Sequence, residues 1–175
     1  MPIDESRTFK PVNIALLTIS DSRELKDDTS GDILAERIAS AGHTLATREI
    51  SKDDKNEIAA HLHRWIDDEQ IDVILTTGGT GLTGRDVTPE ALDRVKDKDI
   101  PGFGELFRWI SFETISTSTI QSRACAVLAK GTYIFALPGS NGAVKDGWDR
   151  ILVSQLDSRH RPCNFVELMP RLRES

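Results

Sequence analysis

The chain has 175 residues, of which 38% are hydrophobic and 29% charged, the size and balance of one folded domain and not of a disordered segment. Its 22 Lys and Arg against 28 Asp and Glu leave a net charge of -6, which supplies no broad basic footprint for nucleic acid or anionic lipid. Two cysteines, Cys125 and Cys163, form neither a disulfide framework nor a CxxC metal knuckle, and no apolar run approaches the ~20 residues of a membrane span.

Residues 1–10 carry Asp4, Glu5, Arg7 and Lys10 without an apolar stretch, so no secretory signal is expected and a cytoplasmic location is. Val12 to Ser20 is a continuous apolar run, the pattern of a strand covered on both faces in a parallel sheet. A polar loop, Asp21 to Gly31, should follow. Asp32 to Ala41 reads as a helix with Ile33, Leu34 and Ile38 on one side and Gly42 as its stop. His43 to Ile50 is a second, weaker strand. Asp54-x-x-Glu57 has the form of a capping box ahead of Ile58, Leu62, Trp65 and Ile66, whose spacing makes a buried helical stripe.

Asp72 to Thr77 is the third strand, and after a glycine loop, Gly78 to Gly84, Thr88-Pro89-Glu90 supplies a cap candidate, a proline at the first helical position and an acid in the first turn. Gly102 to Thr114 and Thr119 to Lys130 read as helices, the second closed by Gly131. Thr132 to Leu137 is a buried strand, and Pro138-Gly139-Ser140 turns into a last helix carrying Trp148, Ile151, Leu152 and Leu156. Strands alternating with helices predict an α/β fold, a three-layer αβα domain with a mostly parallel sheet, over residues 11–166 between short tails, 1–10 and 167–175. In such sheets ligands bind beyond the carboxyl ends of the strands. Three glycine-bearing polar loops leave those ends here, at 20–31, 78–86 and 138–142.

The stretch from Thr76 to Glu90 runs from a buried strand through four glycines into a helix. Glycines let backbone N–H groups surround an anion, and a helix start adds a favourable dipole, so a phosphate cradle is expected in preference to a bare turn. Gly79-x-x-x-x-Gly84 has Walker A spacing, but Arg85-Asp86 follow where Lys and Ser or Thr are required. Gly79-x-Gly81-x-x-Gly84 also fits the dinucleotide fingerprint of an oxidoreductase, yet it follows the third strand, and the acids beyond it, Asp97 and Asp99, end no apolar strand.

Thr77-Gly-Gly-Thr-Gly81, Arg85-Asp86-Val-Thr-Pro-Glu90, Pro101-Gly102-Phe103-Gly104-Glu105 and Leu137-Pro-Gly-Ser140 together resemble the molybdopterin-binding domain of the MoaB/MogA family, which makes molybdenum cofactor. Ser116 to Arg123 and Asp157 to Phe165 resemble its MoaB branch. The resemblance implies a molybdopterin adenylyltransferase using ATP and Mg²⁺, with a non-catalytic molybdopterin carrier as the alternative. It places two acids associated with activity on Asp53 and Asp86, whose role would be to hold Mg²⁺ against the phosphates. Helix capping is the competing role, open to Asp53 and Asp54 alike and to Asp86 unless Thr88 serves instead. Many adenylating members have Pro before the first acid, where this chain has Lys52.

The resemblance further implies nucleotide contacts at Thr77, Gly78, Gly79, Thr80, Gly81, Pro138, Gly139 and Ser140. Molybdopterin contacts fall on Ser20, Asp21, Ser30, Gly31, Thr117, Ser118 and Ser122. It also implies a homotrimer or hexamer and a partner protein that inserts molybdenum. The remaining features read more plainly. His61 and His63 lie on opposite sides of a helix and cannot share a metal. Cys125 is expected in the core, Trp109 and Phe112 in the core or a subunit interface, and Arg159-His160-Arg161 on a solvated surface.

Overall fold

Apolar runs uninterrupted by charge build the centre of the sheet. In the computed structural model, which describes residues 3–174, β1 (Asn13–Ile19), β3 (Val73–Thr77) and β6 (Thr132–Leu137) lie side by side and parallel, with β2 (Thr44–Ser51) on the outer side of β1. Residues 1, 2 and 175, which belong to the expected tails, lie outside the described residues. The sheet has six strands in the order β2-β1-β3-β6-β5-β4, the last two being Cys125–Ala129 and Lys98–Asp99. Successive residues of a strand point to opposite faces, and the core divides accordingly. Ile14 and Leu16 join one cluster, Ala15, Leu17 and Ile19 the other.

On the first face pack α1 (Thr29–Ser40), α4 (Pro101–Ile115) and the final helix, where α5 (Asn141–Gly147) passes through a π turn, Trp148–Leu152, into α6 (Val153–Gln155). On the second face, α2 (Lys55–Ile66) seats Ile58, Leu62, Trp65 and Ile66, and α3 (Thr88–Leu92) adds Ala91 and Leu92. The predicted three-layer αβα domain with a mostly parallel sheet is the observed architecture. No helix among the described residues is long and apolar enough to cross a membrane.

Three expectations are corrected. The segment 119–130 is not a helix but a 3-10 turn (Ser116–Gln121) followed by β5, which pairs antiparallel with β6. Lys130 and Gly131, at φ 48° and 89°, form the two-residue hairpin turn between them; Gly131 closes a hairpin and stops no helix. Helix α1 begins at Thr29, three residues before Asp32, because the buried Asp28 caps it by accepting the Gly31 N–H at 3.0 Å. Thr88 is no cap: it lies in the first turn of α3, and its hydroxyl donates to the Gly78 carbonyl at 2.9 Å. Of the two places expected for Trp109 and Phe112, 72% and 52% exposed, the core is excluded and a subunit interface is left.

The described residues near both ends fold against the domain. Asp4 pairs with Arg161 and Arg7 with Glu167, Phe9 lies under the Arg159 guanidinium, and α7 (Phe165–Leu168) packs Phe165 on Tyr133 and Phe135. The Arg159 and Arg161 side chains are thereby engaged within the chain, Arg159 also on Asp157.

Candidate functional site

Neighbouring strands β1 and β3 send the chain to opposite sides of the sheet, β1 to β2 at one edge and β3 toward the β6, β5 and β4 side. This is the switch point at which open α/β sheets leave a crevice for ligands. The loops after β1, β3 and β6 meet there. Gly78 N–H donates to the Leu137 carbonyl at 3.0 Å, the Thr77 hydroxyl donates to the Pro138 carbonyl at 3.2 Å, and Ser20 N–H donates to the Ser51 carbonyl at 2.9 Å.

The glycine loop has the geometry of a cradle. Gly78 and Gly79 adopt φ of 107° and 64°, which side-chain-bearing residues rarely hold. Gly139 packs so closely on Gly78 that an added Cβ would lie 3.2 Å from its Cα. The nucleotide residues implied by the sequence, Thr77 to Gly81 and Pro138 to Ser140, therefore converge. Ser140 begins α5 as its cap, accepting Ala143 N–H at 3.2 Å.

Both predicted acids abut this loop. A side chain at Gly79 would meet Asp53 Oδ1 at 3.2 Å, and one at Gly81 would meet Asp86 Oδ2 at 2.7 Å. Of the two adjacent aspartates only one is a cap. Asp54 caps α2, accepting N–H bonds from Asn56 and Glu57 at 2.8 and 3.0 Å. The Asp53 carboxylate has no hydrogen bond or ion pair among the described residues; its backbone N–H donates to Asp21 Oδ1 at 3.2 Å. Burial, then the nearby Asp21 carboxylate, hold the Asp53 carboxyl above the usual range, and Arg85 pulls it back. Asp86 goes the other way: the Thr83 hydroxyl and N–H donate to it at 2.6 and 2.8 Å and keep it ionised.

Among the described residues, no three His, Cys, Asp or Glu side chains group tightly enough to hold a metal alone. Two oxygen-bearing carboxylates beside a phosphate cradle nevertheless suit Mg²⁺, which takes one or two carboxylates and completes its shell with water and phosphate oxygens. Arg85 pairs with Asp21 across the mouth of the crevice.

The implied pterin residues are more dispersed. Ser20 accepts N–H bonds from Ser22 and Arg23, and Asp21 stands exposed beside Asp53. Ser30 and Gly31 are buried in the first turn of α1, where Asp28 accepts from Thr18 Oγ1 at 2.6 Å and Arg48 Nη2 at 2.9 Å. Thr117 and Ser118 are exposed on the 3-10 turn and make no hydrogen bond to the other predicted residues. Ser122 does reach the site, lining with Pro138, Ser140, Phe107 and Ile115 a mostly apolar cleft of about 420 Å³ between α4 and α5.

The residue that reasoning from sequence passed over is Arg123. In the sequence it is one residue of the Ser116 to Arg123 motif, yet its guanidinium reaches two carbonyls of the glycine loop and Glu90. An arginine before a short apolar run was the available signal.

Comparison with known proteins agrees with this geometry. Residues 15–158 match the family described as "Probable molybdopterin binding domain". Molybdenum cofactor biosynthesis protein B of Escherichia coli (strain K12) is 48% identical over 160 residues, covering 91% of this chain and 94% of that one. The protein of the same name from Bacillus subtilis (strain 168) is 38% identical over 159 residues, covering 89% and 94%. Among solved structures, a molybdenum cofactor biosynthesis protein B superposes with a TM-score of 0.86 at 38% identity, over 97% of this chain and 100% of that one. The tungsten cofactor synthesizing protein MoaB from Pyrococcus furiosus gives 0.77 at 32% identity, over 94% and 99%.

Proposed function

The chain belongs to the molybdopterin-binding domain family of molybdenum cofactor biosynthesis, and from that premise we propose that it is a molybdopterin adenylyltransferase consuming ATP. In the reaction the terminal phosphate oxygen of molybdopterin attacks the α-phosphorus of ATP. One P–O bond forms, the bond from the α-phosphorus to the bridging oxygen breaks, and pyrophosphate leaves with the electron pair. Such transfers need positioning and charge neutralisation more than covalent help from side chains.

The observation that carries the reading is the flanking of one glycine cradle by Asp53 and Asp86. Backbone donors at Gly79 to Gly81 would hold the nucleotide phosphates, the Gly78 N–H being engaged by the Leu137 carbonyl, and the start of α5 at Ser140 adds its dipole. Asp53 and Asp86 would hold Mg²⁺, which supplies the charge neutralisation that an acidic chain lacks. The cleft beside Ser122 and Ser140 suits a flat heterocycle, with hydroxyls along an apolar wall. The exposed Trp109 and Phe112 on α4 suit self-association into a trimer or hexamer, and the product would pass to a molybdenum-inserting protein in the cytoplasm.

The test is purified protein with molybdopterin, Mg²⁺ and labelled ATP, scored for adenylylated product. Asp86→Asn and Asp53→Asn are each expected to lower turnover on the order of 100-fold, the scale of losing one preorganised electrostatic group. Nucleotide affinity should collapse when EDTA removes the metal. Pterin binding without product would make the chain a carrier.

A further inference from the structure

Arg123 sits where the 3-10 turn after α4 gives way to β5, outside the acids and glycines described above, and it touches the glycine loop at both ends. Its backbone N–H donates to the Thr80 carbonyl at 3.0 Å. Its Nε donates to the Gly81 carbonyl at 2.7 Å and its Nη2 to the Asp86 carbonyl at 2.7 Å, while Nη1 pairs with the Glu90 carboxylate on α3. A single planar fork thus ties together the two ends of the segment 81–86 and anchors both to the helix that follows. Between those ends Leu82, Thr83, Gly84 and Arg85 are exposed and have little packing of their own.

We propose that Arg123 is the positioning residue for Asp86, holding the loop so that this carboxylate stays against Gly81 at the cradle. Three features make it more than a surface contact. The guanidinium side chain is only 30% exposed, so its bonds are shielded from bulk water. The two carbonyls its guanidinium engages belong to the loop that must receive an anion, and a cation on those oxygens offsets their negative ends. Only an arginine fork makes these bonds from one plane; a lysine ammonium offers a point charge and no fixed geometry. Asp86 is then held on two sides, its carbonyl by Arg123 and its carboxylate by Thr83.

The inference rests on the adenylyl-transfer reading for its kinetic consequence but not for its structural one, so the experiment reads both. In Arg123→Gln, hydrogen exchange of the amides at 81–86 should rise about tenfold or more, as expected when a local opening loses its clasp, while β1, β3 and β6 stay protected. Turnover should fall on the order of 100-fold with KM for molybdopterin little changed, because Arg123 touches the loop and not the pterin cleft. Arg123→Lys should recover little of either. In an Asp86→Asn background, Arg123→Gln should add almost nothing, since it acts through the residue already removed.

Unchanged exchange at 81–86, wild-type turnover in Arg123→Lys, or losses that multiply with Asp86→Asn would each overturn the proposal. Should Arg123→Gln fail to fold, Glu90→Ala removes one arm of the same fork and must loosen the same amides. If the unaltered protein binds nucleotide without transferring an adenylyl group, the functional reading falls, and exchange at 81–86 still decides the role of Arg123.

Discussion

At the start of α2 two consecutive aspartates divide their work, and the division is testable. Asp54 is a cap whose loss should cost stability alone: Asp54→Ala is expected to lower the unfolding temperature by about 2–4 °C with adenylyl transfer retained. Asp53→Asn should do the reverse, since its carboxylate has no bonding partner among the described residues. Thermal unfolding and product formation, measured on both variants, separate the roles. Sequence spacing alone left the two interchangeable, because either can cap; only the observed backbone at Asp54, extended with its side chain turned onto Asn56 and Glu57, decides between them. His43 offers a second test. It is buried, its Nδ1 accepts the Val12 N–H at 3.3 Å, and burial holds its pKa below 6.5 against the pull of Asp157. The folded histidine thus takes up its proton at lower pH than the unfolded one. Stability from this group is complete above about 6.5 and is lost as the pH falls from there toward the folded pKa. The unfolding temperature should accordingly drop as the pH falls below about 6.5, and His43→Asn should flatten that slope.

Among the elements, those with strong periodicity or unbroken apolar runs were legible: β1, β3, β6, α2 and the final helix lie where the pattern puts them. The misreadings have physical causes. Cys125-Ala-Val-Leu-Ala129 is short, apolar on both faces and alanine-rich, so periodicity does not tell it from a buried helix; pairing with β6 decides it. Lys98–Asp99 is a strand only because β5 lies alongside, and both residues are exposed. The cap at Asp28 was hidden because its carboxylate is stabilised by partners as remote in sequence as Arg48. Of the candidate site, the glycine loop was legible from residue types and the two acids followed from the family resemblance, whereas Arg123 was not legible, since its bonds run to carbonyls 37 and 42 residues away. At the hairpin, Gly131 has φ 89°, so Gly131→Ala should cost about 1–2 kcal/mol in chemical denaturation without altering turnover.

For the molecule as a whole, the outward face of α4 and the turn after it is the most conspicuous apolar surface, with Trp109, Phe112, Ile115 and Ile120 each at least half exposed. If this face joins copies of the chain, Trp109→Glu should shift the mass seen by light scattering toward the monomer, and unchanged mass would remove α4 from the interface. The hairpin has a different consequence, one of timing. Of the strand pairs, β5–β6 is closed by two residues, while β1–β2, β1–β3 and β3–β6 join segments that helices separate in the chain. A hairpin closes in ~1–10 μs, and distant parallel pairs wait on loop closure. The crevice, which requires β1, β3 and β6 in register, is then expected to assemble after the rate-limiting barrier. Mg-ATP should therefore slow unfolding in stopped-flow experiments and leave the refolding rate unchanged; faster refolding with ligand would mean that the cradle is already built at the barrier.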